Sequence, residues 1–161
     1  MSVVLTILSA VIIFLLSQFV LRIIIEPIIE LRKAMGLISY TLLYYRSKLT
    51  NAAANNNISD EVKKCSSKLL STYSTIPFYN YLYKIFHLPS YKDLIEASKN
   101  LNLIRSYMIE GHIDYLKSTN PESKISFPLE ISNSIDEIAR KLNICTSYQE
   151  ISSEQDKSEK K

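Results

Sequence analysis

The side chains that could do chemistry are few, and their spacing is poor for it. His87 and His112 are the two histidines, and neither has a second ligand three or four residues away on a shared helical face. Glu110 stands near His112 but off that face. Cys65 and Cys145 are far apart and form no C-x-x-C, which argues against a zinc ribbon or a disulfide scaffold. Each falls on an apolar helical pattern, the place of a small buried hydrophobe more than of a nucleophile. The two glycines cannot build a dinucleotide fingerprint, a Walker loop or a nucleophile elbow, all of which bring backbone close to a ligand. No Asp/Glu pair stands out from surface charge. The residues therefore predict no catalytic site, no metal and no cofactor, and point away from an enzyme.

The densest local chemistry is aromatic. Phe78, Tyr79, Tyr81, Tyr83 and Phe86 fall between Pro77 and Pro89, with Lys84 and Lys92 nearby. Rings interleaved with cations can stack single-stranded bases. A net charge of +3 is small for that purpose, so no nucleic-acid partner is expected. Such rings more often fill a small helical core or sit at a bilayer surface, where the ring is apolar and the hydroxyl wet.

What must position these residues begins with the N-terminus. Residues 1–21 carry no charge, and residues 3–20 read VVLTILSAVIIFLLSQFV. About 20 apolar residues at about 1.5 Å each cross the hydrocarbon of a bilayer. Residues 1–25 thus read as a single transmembrane helix, with Arg22 able to snorkel to the headgroups. A core helix of a soluble protein is the competing reading, and a cleaved secretory signal would want a basic start and a small-x-small site. Positive charge follows the span at Arg22, Arg32 and Lys33. That bias predicts a signal anchor with the N-terminus outside and the remainder cytoplasmic.

Residues 26–50 read as a juxtamembrane amphipathic helix. Pro27 lacks an N–H and either kinks a long helix or starts a new one at the membrane surface. Beyond it Ile28, Leu31, Met35, Ile38, Leu42, Tyr45 and Leu49 recur in steps of three and four, a heptad seam. The seam suits a coiled coil or a partner, but Ile29, Ala34, Leu37, Tyr40, Leu43 and Tyr44 widen the stripe and favour packing on the chain's own later helices. Tyr40, Tyr44 and Tyr45 would also suit a helix lying in the membrane interface.

Residues 58–145 predict a small all-α module. Ser59 reads as an N-cap for a helix with Val62, Cys65, Leu69, Tyr73 and Ile76 inward. Ser90 with Asp93 caps a second, with Leu94, Ala97, Leu101, Ile104 and Met108 inward and Gly111 as its C-cap. Asn120-Pro121 and Phe127-Pro128 read as breakers before a last helix after Ser134, with Ile135, Ile138, Leu142 and Cys145 inward. Residues 146–161 read as a polar, disordered tail.

Two stretches resemble a family of small bacterial single-pass membrane proteins that have an N-terminal transmembrane helix, a cytoplasmic helical region and no assigned activity. One is FVLRIIIEPIIELRKAMGLISYTLLYY at residues 19–45. The other spans residues 61–107, with Ile76-Pro77-Phe78-Tyr79, Leu88-Pro89-Ser90 and Ile95-Glu96-Ala97-Ser98-Lys99-Asn100-Leu101. The chain departs from that pattern at residues 102–106, where a glycine is expected near Asn102. The resemblance implies a bacterial inner-membrane location and an all-α architecture, and brings no functional residue with it.

The expected function is a non-catalytic, membrane-anchored helical protein that presents a cytoplasmic interaction surface to a protein partner or to another copy of itself. Leu31, Met35, Ile38, Leu42, Tyr45, Phe78, Tyr79, Tyr81 and Tyr83 are the candidate surface, and Arg22, Glu26, Pro27, Arg32 and Lys33 the candidate orienting residues. One alternative is a membrane-perturbing effector or small toxin, in which Ser9, Ser17 and Gln18 would meet between spans. Another is an enzyme with an unrecognised site at His87 or His112.

Overall fold

The computed structural model describes residues 2–51, 55–109 and 126–147. All regular structure among them is helical: α1 (Ser2–Val20), a π-helical turn (Leu21–Ile25), α2 (Glu26–Tyr44), α3 (Arg46–Thr50), α4 (Asn56–Ser74), α5 (Tyr79–Ile85), α6 (Tyr91–Met108) and α7 (Ser126–Leu142). Glu110, Gly111, His112, Asn120, Pro121 and residues 148–161 lie outside the described residues.

One helix runs unbroken from Val3 to Tyr44. Pro27 does not end it. In a regular α-turn the Pro27 ring would meet the Ile23 carbonyl, and no N–H would be there to bond it. The wider turn accommodates this: the Glu26 N–H reaches back to Leu21 O, while Val20, Ile25 and Glu26 all keep right-handed helical angles.

The heptad seam is spent inside the molecule. Ile28, Leu31, Ile38, Leu42 and Leu49 are buried, with Met35 and Tyr45 half-buried against the same core. They pack on α4, which packs on α6, which packs on α7, and α7 returns to α3 and α2. Successive bundle helices run antiparallel. Thr41 on α2 touches Cys65 on α4, and Lys68, further along α4, bears on Glu30. Ser66 bonds Ser98 while the Tyr73 ring meets that of Tyr91. Lys141 near the end of α7 pairs with Asp93 near the start of α6, and Tyr107 bonds Glu130 at the opposite end. The result is a closed four-helix bundle of α2, α4, α6 and α7 in up-down-up-down order.

Two helix starts differ from expectation. The N-cap of α4 is Asn55, whose side-chain oxygen accepts from the N–H groups of Asn57 and Ile58. Ser59 is instead buried inside the helix. The last helix starts at Ser126, so Phe127-Pro128 belongs to its first turn, where a missing N–H costs nothing. Its inner face is Phe127, Ile131, Ile135, Ile138 and Leu142, all buried, and Ser134 sits mid-helix. Ser90 caps α6 as expected, accepting from the Asp93 N–H. Thr146, expected in the solvated tail, is buried, and its carbonyl accepts from Arg46.

Candidate membrane span and the adjoining end of the bundle

Among the described residues α1 is exposed along almost its whole length. Fourteen large apolar side chains from Val3 to Leu21 are exposed, so the reading as a core helix of a soluble protein does not apply. At about 1.5 kcal/mol each, removing them from water is worth on the order of 20 kcal/mol, more than the usual net stability of a domain. This helix is long and apolar enough to cross a membrane. Ser9 and Ser17 return their hydroxyls to Thr6 O and Ile13 O, so neither leaves a hydroxyl proton unbonded along the span.

The antiparallel order brings one end of the bundle next to α1. There lie the start of α2, the end of α4, all of α5, the start of α6 and the end of α7. The candidate orienting residues gather here. Arg22 and Glu26 are exposed and Pro27 half-buried. Lys33 pairs with Glu30 at 2.8 Å on the surface. Arg32 donates to the Phe86 carbonyl at 2.8 Å, tying α2 to the end of α5.

The aromatic segment divides by face. Tyr79 is buried, Tyr83 half-buried, and Leu82 and Phe86 pack against the core. Tyr79 makes an edge contact with Tyr73 at 4.8 Å and stacks with Tyr83 at 6.2 Å, and its hydroxyl donates to Pro89 O at 2.6 Å. Burial raises the Tyr79 pKa well above the ordinary tyrosine value. Phe78, Tyr81 and Ile85, spaced by three and four, form the opposite face and are bare.

His87 and Asn143 line a cleft of about 380 Å³ together with Arg32, Met35, Lys141 and neighbours. Both have positive φ, 50° and 52°, and both close helices: the Leu88 N–H bonds Tyr83 O after α5, and the Ile144 N–H bonds Ala139 O after α7. These are left-handed C-caps, which His and Asn tolerate better than most residues. The Lys141 ammonium is engaged by Asp93 at 3.1 Å and by Glu96. Its two carboxylates raise the Lys141 pKa; the Ser90 hydroxyl and then Lys141 lower that of Asp93, and Lys141 lowers that of Glu96.

Among the described residues no group of three or more His, Cys, Asp or Glu could hold a metal ion. Cys65 is buried at 3.5 Å from the Thr41 hydroxyl, and burial pushes its thiol up, away from the reactive thiolate. Cys145 is half-buried and its carbonyl accepts from Ser39.

The partner face expected from the heptad seam is therefore divided as well. Leu31, Ile38 and Leu42 are fully covered and unreachable from solvent, while Leu37, Tyr40 and Tyr44 on the opposite side of α2 are exposed, the last two stacked at 5.7 Å. An unbroken helix also carries Tyr40 about 27 Å beyond Arg22, so a span by α1 and an α2 lying in the membrane plane exclude each other. No protein-family model, curated protein or solved structure matches the chain.

Proposed function

We propose that the chain is a non-catalytic membrane-anchored protein whose helical bundle is held at a bilayer surface as an interaction module, in an accessory or self-associating role within a membrane assembly. The observation that carries this reading is the continuity of the bare apolar helix with α2, which is itself a wall of the bundle. A stalk built this way fixes the bundle's orientation as well as its location. The charge-free N-terminus and the cations at Arg22, Arg32 and Lys33 support an N-terminus-out, bundle-in topology. Together with the family resemblance of residues 19–45 and 61–107, they support a bacterial inner membrane.

With the seam buried, α2 still offers a protein partner the exposed Leu37, Tyr40 and Tyr44. Tyrosines held in a stacked pair suit that role, since they offer large apolar area with little rotamer entropy to lose. Membrane fractions extracted with alkali, followed by crosslinking through a photoreactive group at position 40, test the reading. Retention in the membrane with a discrete crosslinked species is expected. Release by alkali, or no crosslink in membranes from the native host, would refute it.

A further inference from the structure

We infer that α5 is a second membrane contact, a short foot whose Phe78, Tyr81 and Ile85 rest in the lipid interface beside the point where α1 emerges. Phe78 and Tyr81 are 75% and 74% exposed, barer than any large apolar residue of α1 itself. Tyr79, Leu82, Tyr83 and Phe86 pack against the core, while Phe78, Tyr81 and Ile85 are exposed, flanked by the exposed polar side chains of Asn80 and Lys84. Bare rings and an aliphatic side chain beside a lysine are the pattern of a helix that lies in a membrane interface.

The fold places this segment near the span. α5 lies between the end of α4 and the start of α6, both at the α1 end of the bundle, and Arg32 near the start of α2 holds the Phe86 carbonyl at the end of α5. Ile24, packed against the bundle core, sits only about 3 Å of helical rise beyond Arg22, where the charge-free stretch stops. The end of the bundle thus begins within the headgroup layer, and interfacial helices bury their apolar face about 5–10 Å into that boundary.

Charge agrees. From Ile76 to Lys92 there is no carboxylate, and Lys84 is exposed on α5, a pattern that suits anionic headgroups. Glu26 on α2 is the nearest exposed opposing charge in sequence to the span, and Glu30 is already paired with Lys33. A second protein is the weaker occupant. Three side chains offer on the order of 450 Å², against about 800 Å² per partner in a stable interface.

This inference rests on reading α1 as a span, and the absence of tryptophan allows the two to be tested apart. Single-tryptophan variants Phe14→Trp, Tyr81→Trp, Ile85→Trp and Leu129→Trp would be made in the full chain. They would be reconstituted in phosphatidylcholine–phosphatidylglycerol vesicles carrying bromine either near the chain ends or near the carbonyl end of the acyl chains. Expected are loss of Phe14→Trp emission to deep bromine, loss of Tyr81→Trp and Ile85→Trp emission to shallow bromine, and no loss in Leu129→Trp, an exposed position in the first turn of α7. If Phe14→Trp is quenched while Tyr81→Trp and Ile85→Trp behave like Leu129→Trp, the span stands and the foot is overturned. Shielding of the α5 variants from aqueous quencher that grows with protein-to-lipid ratio, without bromine quenching, would assign the face to a second copy and also overturn it. Failure of Phe14→Trp to quench overturns the span and the foot together.

Discussion

Truncating Leu42 to alanine distinguishes a seam spent within one chain from a seam between chains. Leu42 is fully buried in the wall that α2 presents to the core. Losing its branched end removes transfer free energy and leaves a cavity that the surrounding core residues can fill only in part, so Leu42→Ala should cost about 3 to 4 kcal/mol. The control is two residues on. Tyr44 is 64% exposed, and its ring stacks on Tyr40 and meets Tyr45 edge-on, so Tyr44→Ala should cost under about 1 kcal/mol.

The assay is denaturant unfolding of the full chain in micelles, followed by helicity, at two protein concentrations well separated from each other. An intramolecular seam predicts a large, concentration-independent fall in midpoint for Leu42→Ala and almost none for Tyr44→Ala. A dimeric seam makes stability inseparable from concentration. A Leu42→Ala effect that changes on dilution, or equal effects for the two substitutions, would refute the closed bundle.

Three further outcomes follow from local chemistry. The Glu96 pKa is held down by Lys141, and that of Asp93 by the Ser90 hydroxyl and then Lys141, so their stabilisation is present above the ordinary carboxylate range and lost as pH falls through the lowered values; Lys141→Met should flatten this acid limb in pH-dependent denaturation, chiefly through Glu96. Asn55→Ala should lower stability by about 1 kcal/mol through loss of the α4 cap, whereas Ser59→Ala should not produce that loss, a contrast that equilibrium unfolding reads directly. Phe78→Asn should raise stability in micelles by about 1 kcal/mol, since Phe78 has a φ of 53° that asparagine tolerates better and its ring packs little.

The helices whose apolar residues step by three and four were legible: the seam of α2, the inner faces of α4 and α6, and the bare span all follow from spacing and charge alone. What failed to show did so for identifiable reasons. Asparagines crowd residues 51–57, and Ser59-Asp60-Glu61 imitates a helix start, so the cap at Asn55 was hidden among equivalents. Pro128 has the same composition whether it breaks a helix or opens one, and only the apolar run from Phe127 to Leu142 decides between them. The division of the seam from the exposed Tyr40–Tyr44 face depends on which helices return to α2. That is a tertiary fact no local pattern carries.

The aromatic segment shows most clearly how position changes the meaning of composition. Its rings were expected to be either core or membrane surface, and they are split between the two faces of one short helix. Tyr79 anchors the inner face through Tyr73, Tyr83 and the Pro89 carbonyl, while Phe78, held in a left-handed conformation that serves no C-cap, is turned outward. His87 and Asn143 occupy the same backbone region as helix closures, suited to it by their side chains; Phe78 is not so suited. A strained, exposed phenylalanine persists only where the surroundings determine it, and here those surroundings are the buried Ile76 and Tyr79 on either side. If the strain is kept because the ring is needed against lipid, Phe78→Asn must separate two quantities that usually move together: the bundle should become harder to unfold in micelles while the α5 face loses apolar contact with vesicles. Gain on both measures, or loss on both, would break the link between the strained backbone and the membrane foot.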